Sequence, residues 1–251
     1  MVLLLFVDLD PDLAALRPLG GFFVLRTPGT TLRPLPTLAE TYGRQPSDAH
    51  GNSLTFRVQK VANALRAPEP RIAASVAQLG LAARLWSVAL GCAALYGSIP
   101  DLDPGVLRWD PDGSAPDDLW LTQVRPLPAD PATIADVVLH GHLEPLTAAL
   151  NTRYRVAAGL LWGNAGSALA GAARQLDQWA LADGRTETAA RARALTAELF
   201  THPLLAGTGT FTGTAFRRRS CCLYYRVPGG GVCGDCCFTR APRSSPRAPS
   251  G

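Results

Sequence analysis

The 251-residue chain has almost no lysine: Lys60 stands alone among 24 basic residues. Together with 21 prolines, 24 glycines and a heavy alanine load, this is the bias of a GC-rich coding sequence. The arginine count by itself therefore makes no case for nucleic acid as a partner. Charge is sparse overall, at 18% against 47% apolar residues, which excludes a mostly disordered chain and suits one large domain or two small ones. No G-x-G-x-x-G follows a strand pattern, so a nicotinamide bound in a dinucleotide fold is not expected. Gly163, Gly166 and Gly171 lie in a helical pattern, and Gly207-Thr208-Gly209 is too short to replace that motif. A Ser/His/Asp constellation is also lacking.

A targeting segment is not evident either. Met1 to Phe6 are apolar, but no basic residue precedes them and Asp8 and Asp10 follow almost at once. That run is too short for a signal core and reads as a strand or a misplaced start. Residues 72–95 come nearest to a membrane span, yet they contain Gln78, Arg84 and several alanines. Charge at the centre of a span is costly, so this segment is expected to be a buried amphipathic helix. The protein is expected in the cytoplasm with no membrane span, peripheral association being left open.

Residues 1–60 alternate short apolar runs with turn chemistry. Residues 21–25 read as a strand closed by Thr27-Pro28-Gly29, and residues 54–58 as a second strand or the entry to a helix. A long helix should start near Pro70 and stop around Gly97. Residues 106–125 suit two short strands joined by Asp110-Pro111-Asp112-Gly113. Asp130-Pro131 has the form of an N-cap followed by proline in the first turn, and helical periodicity then covers most of residues 131–200, interrupted at Pro145 and around Asp183-Gly184. Val156, Leu160, Leu161, Ala168 and Leu176 mark one buried stripe; Ala192, Leu195 and Leu199 mark the next. The expected fold class is α+β: a mixed α/β N-terminal half, a mainly helical second half and a cysteine-rich C-terminal hairpin. The expected division is 1–215 for the body, 216–238 for the cysteine segment and 239–251 for a disordered tail.

Cysteine is the most unevenly spread residue. Cys92 stands alone in an apolar run, where a buried small hydrophobe is expected; the other five lie between Cys221 and Cys237. Charge follows them: residues 201–251 hold seven arginines against Asp235, a net of +6, whereas residues 1–200 hold 17 bases against 19 acids, a net of −2. The spacing is Cys-Cys-x10-Cys-x2-Cys with one further cysteine appended. Four thiolates near one point repel, so a cation or oxidation must compensate. Zinc favours two C-x2-C knuckles, and the adjacent pair Cys221-Cys222 diverges too far to clasp one small ion easily. A [2Fe–2S] rhomb is wider and offers two irons. Leu223 to Val227 and Pro228 to Gly231 suggest a hairpin returning Cys233 beside Cys222, with Gly229 to Gly231 and Gly234 allowing close backbone approach. On chemistry alone iron–sulfur, zinc, and disulfides or redox thiols stay open.

Arg218-Arg219-Ser220-Cys221-Cys222, the Tyr-Arg-x-Pro piece at Tyr225 to Pro228, and Cys233-Gly234-Asp235-Cys236 resemble the C-terminal signature of FhuF-like ferric siderophore reductases. Trp162-Gly163-Asn164-Ala165 is similar to a Trp-x-Asn-Ala stretch of that family. The resemblance implies a [2Fe–2S] cluster on Cys221, Cys222, Cys233 and Cys236, with Cys237 outside the pattern and a swap between Cys236 and Cys237 left open. It also implies one-electron reduction of Fe(III) in a hydroxamate-type siderophore, with the electron coming from a ferredoxin or a separate flavin reductase. Arg217, Arg218, Arg219 and Arg226 are then candidates for tuning the cluster or meeting a partner, and Trp162 and Asn164 for the substrate's vicinity or for plain core positions. The alternative is a zinc-stabilised four-cysteine module contacting an anionic partner. His140 and His142, at i and i+2, share no helical face and are expected to be structural or surface residues. Asp101, Asp103, Asp117 and Asp118 read as loop carboxylates, and Tyr224 and Tyr225 as rings on opposite faces of the hairpin.

Overall fold

The computed structural model describes Leu13 and residues 16–27, 34–43 and 53–242. A strand at Met1 to Phe6, the Pro28-Gly29 turn and the tail beyond Pro242 lie outside these residues. In chain order the main elements are α1 (Leu38–Tyr42), α2 (Ser53–Leu65), α3 (Pro70–Tyr96), β1 (Ser98–Pro100), β2 (Leu107–Trp109), β3 (Leu119–Leu121) and β4 (Pro126–Pro128). They continue as α4 (Pro131–Ala135), a π-helical segment (Asp136–Leu143), α5 (Glu144–Tyr154), α6 (Ala158–Ala182), α7 (Thr186–Leu199), β5 (Gly209–Thr212) and β6 (Ala215–Arg218). Helix dominates, and the strands form three antiparallel ribbons, β1–β4, β2–β3 and β5–β6, rather than one sheet. The fold is therefore α+β as expected.

Helix α3 is the axis. Pro70 occupies its first turn, where a missing N–H costs nothing, and Gly97 closes it in the left-handed conformation at φ 70°, its N–H bonding Ala93 O. It packs most extensively on α6 and also touches α2 and α7. Leu85, Trp86, Ala89, Leu90 and Ala93 are fully buried, since helices lie against more than one side of α3. It is the one helix among the described residues long and apolar enough to cross a membrane, and 72% of its apolar window is buried inside the fold. Arg84, midway along it, pairs with Asp118 at 2.9 Å, both side chains under a tenth exposed. Asp118, in the turn before β3, is thus a loop carboxylate that serves as a buried counter-ion.

Arg84 also explains the strand missing from residues 21–25. Its guanidinium donates to the carbonyls of Gly21 (3.1 Å), Phe22 and Val24 (2.7 Å), which a strand partner would otherwise take. The chain instead turns at 21–23 and makes one parallel bridge, Arg26 to Trp120. Residues 54–58 enter a helix. The β2–β3 ribbon and the Asp130 cap, whose carboxylate accepts from Thr133 N–H at 2.9 Å, form as read. Pro145 does not break the chain: the π-helical segment before it widens the turn, and the proline falls in the first turn of α5, where no N–H is required.

Candidate metal centre

The cysteine segment is carried on β6 and the following loop. The β5–β6 hairpin, with Gly213 at φ 59° in its turn, packs on α6. Gly163 and Gly166 of α6 make the approach feasible: a Cβ at Gly163 would stand 2.0 Å from Ser220 Oγ, and one at Gly166 would stand 2.5 Å from Thr208 Oγ1. Alternation along β6 buries Phe216 and Arg218 and exposes Ala215 and Arg217. A division between residues 215 and 216 therefore falls inside this strand. Beyond Cys222 the chain does not form the expected hairpin. Leu223 takes the left-handed conformation, Tyr224–Arg226 make one 3₁₀ turn, and Gly230 N–H closes a further turn on Val227 O at 2.8 Å. The return nevertheless brings Cys222 Sγ within 3.6 Å of Cys233 Sγ.

Backbone donors point at sulfur: Leu223 N–H reaches Cys221 Sγ at 3.2 Å and Phe238 N–H reaches Cys236 Sγ at 3.4 Å. Cys222 and Cys236 are buried, whereas Cys221, Cys233 and Cys237 are partly exposed. A hydrogen bond from Cys233 holds the Cys222 thiol down at about 6 against the effect of burial, with Arg218 adding its charge, and the sharing pushes Cys233 far up. Burial pushes Cys221 up to about 11, and burial with the neighbouring Cys236 raises Cys237. A metal takes cysteine as the thiolate, so binding a cation through these thiols releases protons.

The four candidate arginines separate. Arg218 is 2% exposed. Its Nη1 donates to Asn164 Oδ1 at 2.5 Å, its Nη2 to Ser167 Oγ at 3.1 Å, and its backbone N–H to Asp235 O at 3.0 Å. Arg217 is exposed and donates to Cys237 O at 2.9 Å; Arg219 is exposed. Arg226 turns away to Glu69 at 2.7 Å and so fastens the loop to the N-terminus of α3. Asn164 is fully buried and donates to Ser75 O and Ser75 Oγ, both at 3.0 Å, while Ser75 Oγ donates to Cys222 O at 2.8 Å. Ser167 Oγ donates to Asp235 Oδ2 at 2.6 Å. Asn164 therefore acts on the cysteine loop from inside the core; Trp162 is partly buried against the core. Ser75 and Ser167 carry this network with Asp235. Asp235 is named from sequence within the cysteine motif but neither serine is; a small polar residue on an otherwise apolar helix face was the available signal for them.

The remaining candidates lie elsewhere. His142 is fully buried, with Nε2 bonded to Leu102 O (2.6 Å) and Nδ1 to Tyr42 Oη (2.9 Å). His140 pairs with Glu144 on the surface. Asp101 and Asp117 pair with Arg125 and Arg26, and Asp103 caps Gly105 N–H. Cys92 is fully buried. Tyr225 packs edge-on against Phe238 at 5.7 Å while Tyr224 is exposed, so the two rings do not sandwich the loop.

The donor set suits a polynuclear thiolate centre better than one small ion. Five thiols lie in one loop, N–H groups aim at two of them, and the buried Arg218 cation has no carboxylate within ion-pair distance among the described residues. An anionic cluster answers all three features. The comparison with known families agrees: residues 218–238 match the model described as the FhuF 2Fe-2S C-terminal domain, which assigns the cofactor as a [2Fe–2S] cluster. The match covers the cysteine segment and not the body. No curated protein matches the chain.

Proposed function

Taking the chain as an FhuF-like family member whose C-terminal segment binds a [2Fe–2S] cluster, we propose that it is a ferric-siderophore reductase. Cys221, Cys222, Cys233 and Cys236 would hold the cluster, which supplies one electron to Fe(III) in a hydroxamate-type chelate. Hard oxygen donors bind Fe(III) far more tightly than Fe(II), so one electron turns a tight complex into one that can release its iron, in the cytoplasm. No proton transfer or covalent catalyst is required, consistent with histidines and carboxylates that are occupied structurally.

The protein's own residues prepare this chemistry. Cys222 and Cys236 anchor the loop in the core, Arg226 and Glu69 pin its outer turn, and the partly exposed Cys221 and Cys233 leave one side open for exchange of electrons. In the same segment Tyr224, Val232 and Phe238 are exposed apolar groups, and Arg217, Arg219 and Arg240 are exposed near them in sequence. Exposed apolar and basic side chains in one segment suit transient contact with an acidic one-electron donor, such as a ferredoxin or the surface of a separate flavin reductase. The observation that carries the reading is the cysteine loop itself, matched in sequence and closed to 3.6 Å between Cys222 and Cys233.

The test is a single turnover. Anaerobically reduced protein, freed of excess reductant, is mixed with a ferric trihydroxamate in the presence of a ferrous trap. Trapped Fe(II) should match the electrons lost by the protein. Protein that stays reduced beside the ferric chelate would make it an electron carrier or sensor instead.

A further inference from the structure

Three consecutive arginines precede the cysteine pair, and the fold treats the middle one differently. Arg218 is buried between β6, α6 and the cysteine loop, and both groups its side chain hydrogen-bonds are neutral: the Asn164 amide oxygen and the Ser167 hydroxyl. Its Nε is buried with no hydrogen-bond partner. The nearby carboxylate, Asp235, is committed elsewhere, accepting from Ser167 Oγ at 2.6 Å and lying 3.6 Å from Arg174. A buried cation without a contacting anion is costly, so its compensation must come from groups close by. The cysteine loop is the neighbour able to supply it: the Arg218 backbone N–H donates to Asp235 O, one residue before Cys236, at 3.0 Å, and its side chain reaches Cys222 O through Asn164 and Ser75.

We propose that Arg218 is a positioning and electrostatic residue of the redox centre: its buried guanidinium is the fixed counter-cation of the thiolate set and raises the cluster's reduction potential. This rests on the cluster reading above. Reduction adds one negative charge to the centre, and a cation held in a low-dielectric site stabilises the added charge far more than one in water. Arg217 and Arg219 are exposed and screened by solvent and salt. The position of Arg218 is also fixed relative to the sulfurs. Arg218 donates to Asn164, Asn164 to Ser75, and Ser75 to the carbonyl of Cys222. A movement of the cation against the cluster would break at least one of these bonds.

The experiment is a potentiometric titration of the full, cluster-loaded chain followed by its visible spectrum. Arg218→Met should shift the reduction equilibrium at least tenfold toward the oxidised form, about 59 mV for one electron. Arg218→Lys breaks the hydrogen-bonded fork but keeps the charge and should stay within threefold of the wild type. The doubly exposed variant, Arg217→Met with Arg219→Met, should do the same. Equal shifts in Arg218→Met and Arg218→Lys, or an equal shift in the exposed double variant, would overturn the proposal. If Arg218→Met fails to retain a cluster, Asn164→Asp decides. It is isosteric, sets a carboxylate against the same guanidinium, and should move the potential down; an unchanged potential there overturns the proposal too. A wild-type chain holding neither iron nor sulfide would overturn the functional reading itself, an outcome separate from any of these.

Discussion

Cys236 and Cys237 are neighbours of one chemistry in two settings. Cys236 is buried and accepts the Phe238 N–H; Cys237 is more open, and its backbone carbonyl, not its sulfur, is the atom held by Arg217. Of these two neighbours, Cys236 offers the more enclosed sulfur and the one with a backbone donor aimed at it. Cys236→Ser should therefore abolish the visible absorption of the cluster, and Cys237→Ser should keep it. The reverse result would transfer the ligand role to Cys237. The cysteines were legible in the sequence because their spacing alone limits what can bind them. The distinction among Arg217, Arg218 and Arg219 was not, because it depends on the register of a four-residue strand. Alternation turns Phe216 and Arg218 inward together, and nothing in a run of three arginines says which one faces the core. Asn164 was legible as a resemblance, but its partners Ser75 and Arg218 come from segments 89 and 54 residues away.

At the scale of elements, the cysteine loop relies on tight turns rather than paired strands. Gly230 is the constrained glycine: a Cβ there would meet Tyr224 O at 2.4 Å and Val227 O at 2.9 Å, both backbone atoms that cannot swing aside. Gly231 and Gly234 have open space where a Cβ would go, and neither has a positive φ. Gly230→Ala should open the loop, costing about 1–3 kcal/mol as an overpacked site does, and should lower cluster occupancy. Gly231→Ala and Gly234→Ala should load normally; iron content per chain reads all three. Loss of iron in Gly231→Ala equal to that in Gly230→Ala would show that glycine is needed there for another reason. The long helices, the β2–β3 ribbon and the Asp130 cap were legible because each has a local cause: periodicity, an Asp-Pro-Asp-Gly turn, a capping carboxylate. The strand expected at residues 21–25 failed because Arg84, some 60 residues on, takes its carbonyls. The β5–β6 hairpin passed unnoticed because β5 is exposed along most of its length and has no inward apolar alternation to reveal it.

For the whole molecule, α3 and α6 both build the core and carry the inner side of the redox centre, so stability and cluster geometry share residues. One global consequence is pH dependence. Burial holds His142 down at about 4, whereas in the unfolded chain it titrates near 6.5. Its stabilising contribution is complete above pH 6.5, declines as pH falls toward 4 because the unfolded state takes up the proton first, and is constant below. The loss amounts to about 3 kcal/mol. Denaturant unfolding of the metal-free chain should show this slope, and His142→Asn should lack it; the same slope in both would assign the effect to other groups. The central claim concerns the other end of the chain, that its thiolates hold a pair of irons able to change charge by one electron. Iron and acid-labile sulfide analysis of anaerobically purified protein, with electron paramagnetic resonance after dithionite, tests it most directly. The account predicts equal iron and sulfide, about two of each per chain, and a signal from one unpaired electron that appears only on reduction. A colourless protein with stoichiometric zinc and no sulfide would contradict it.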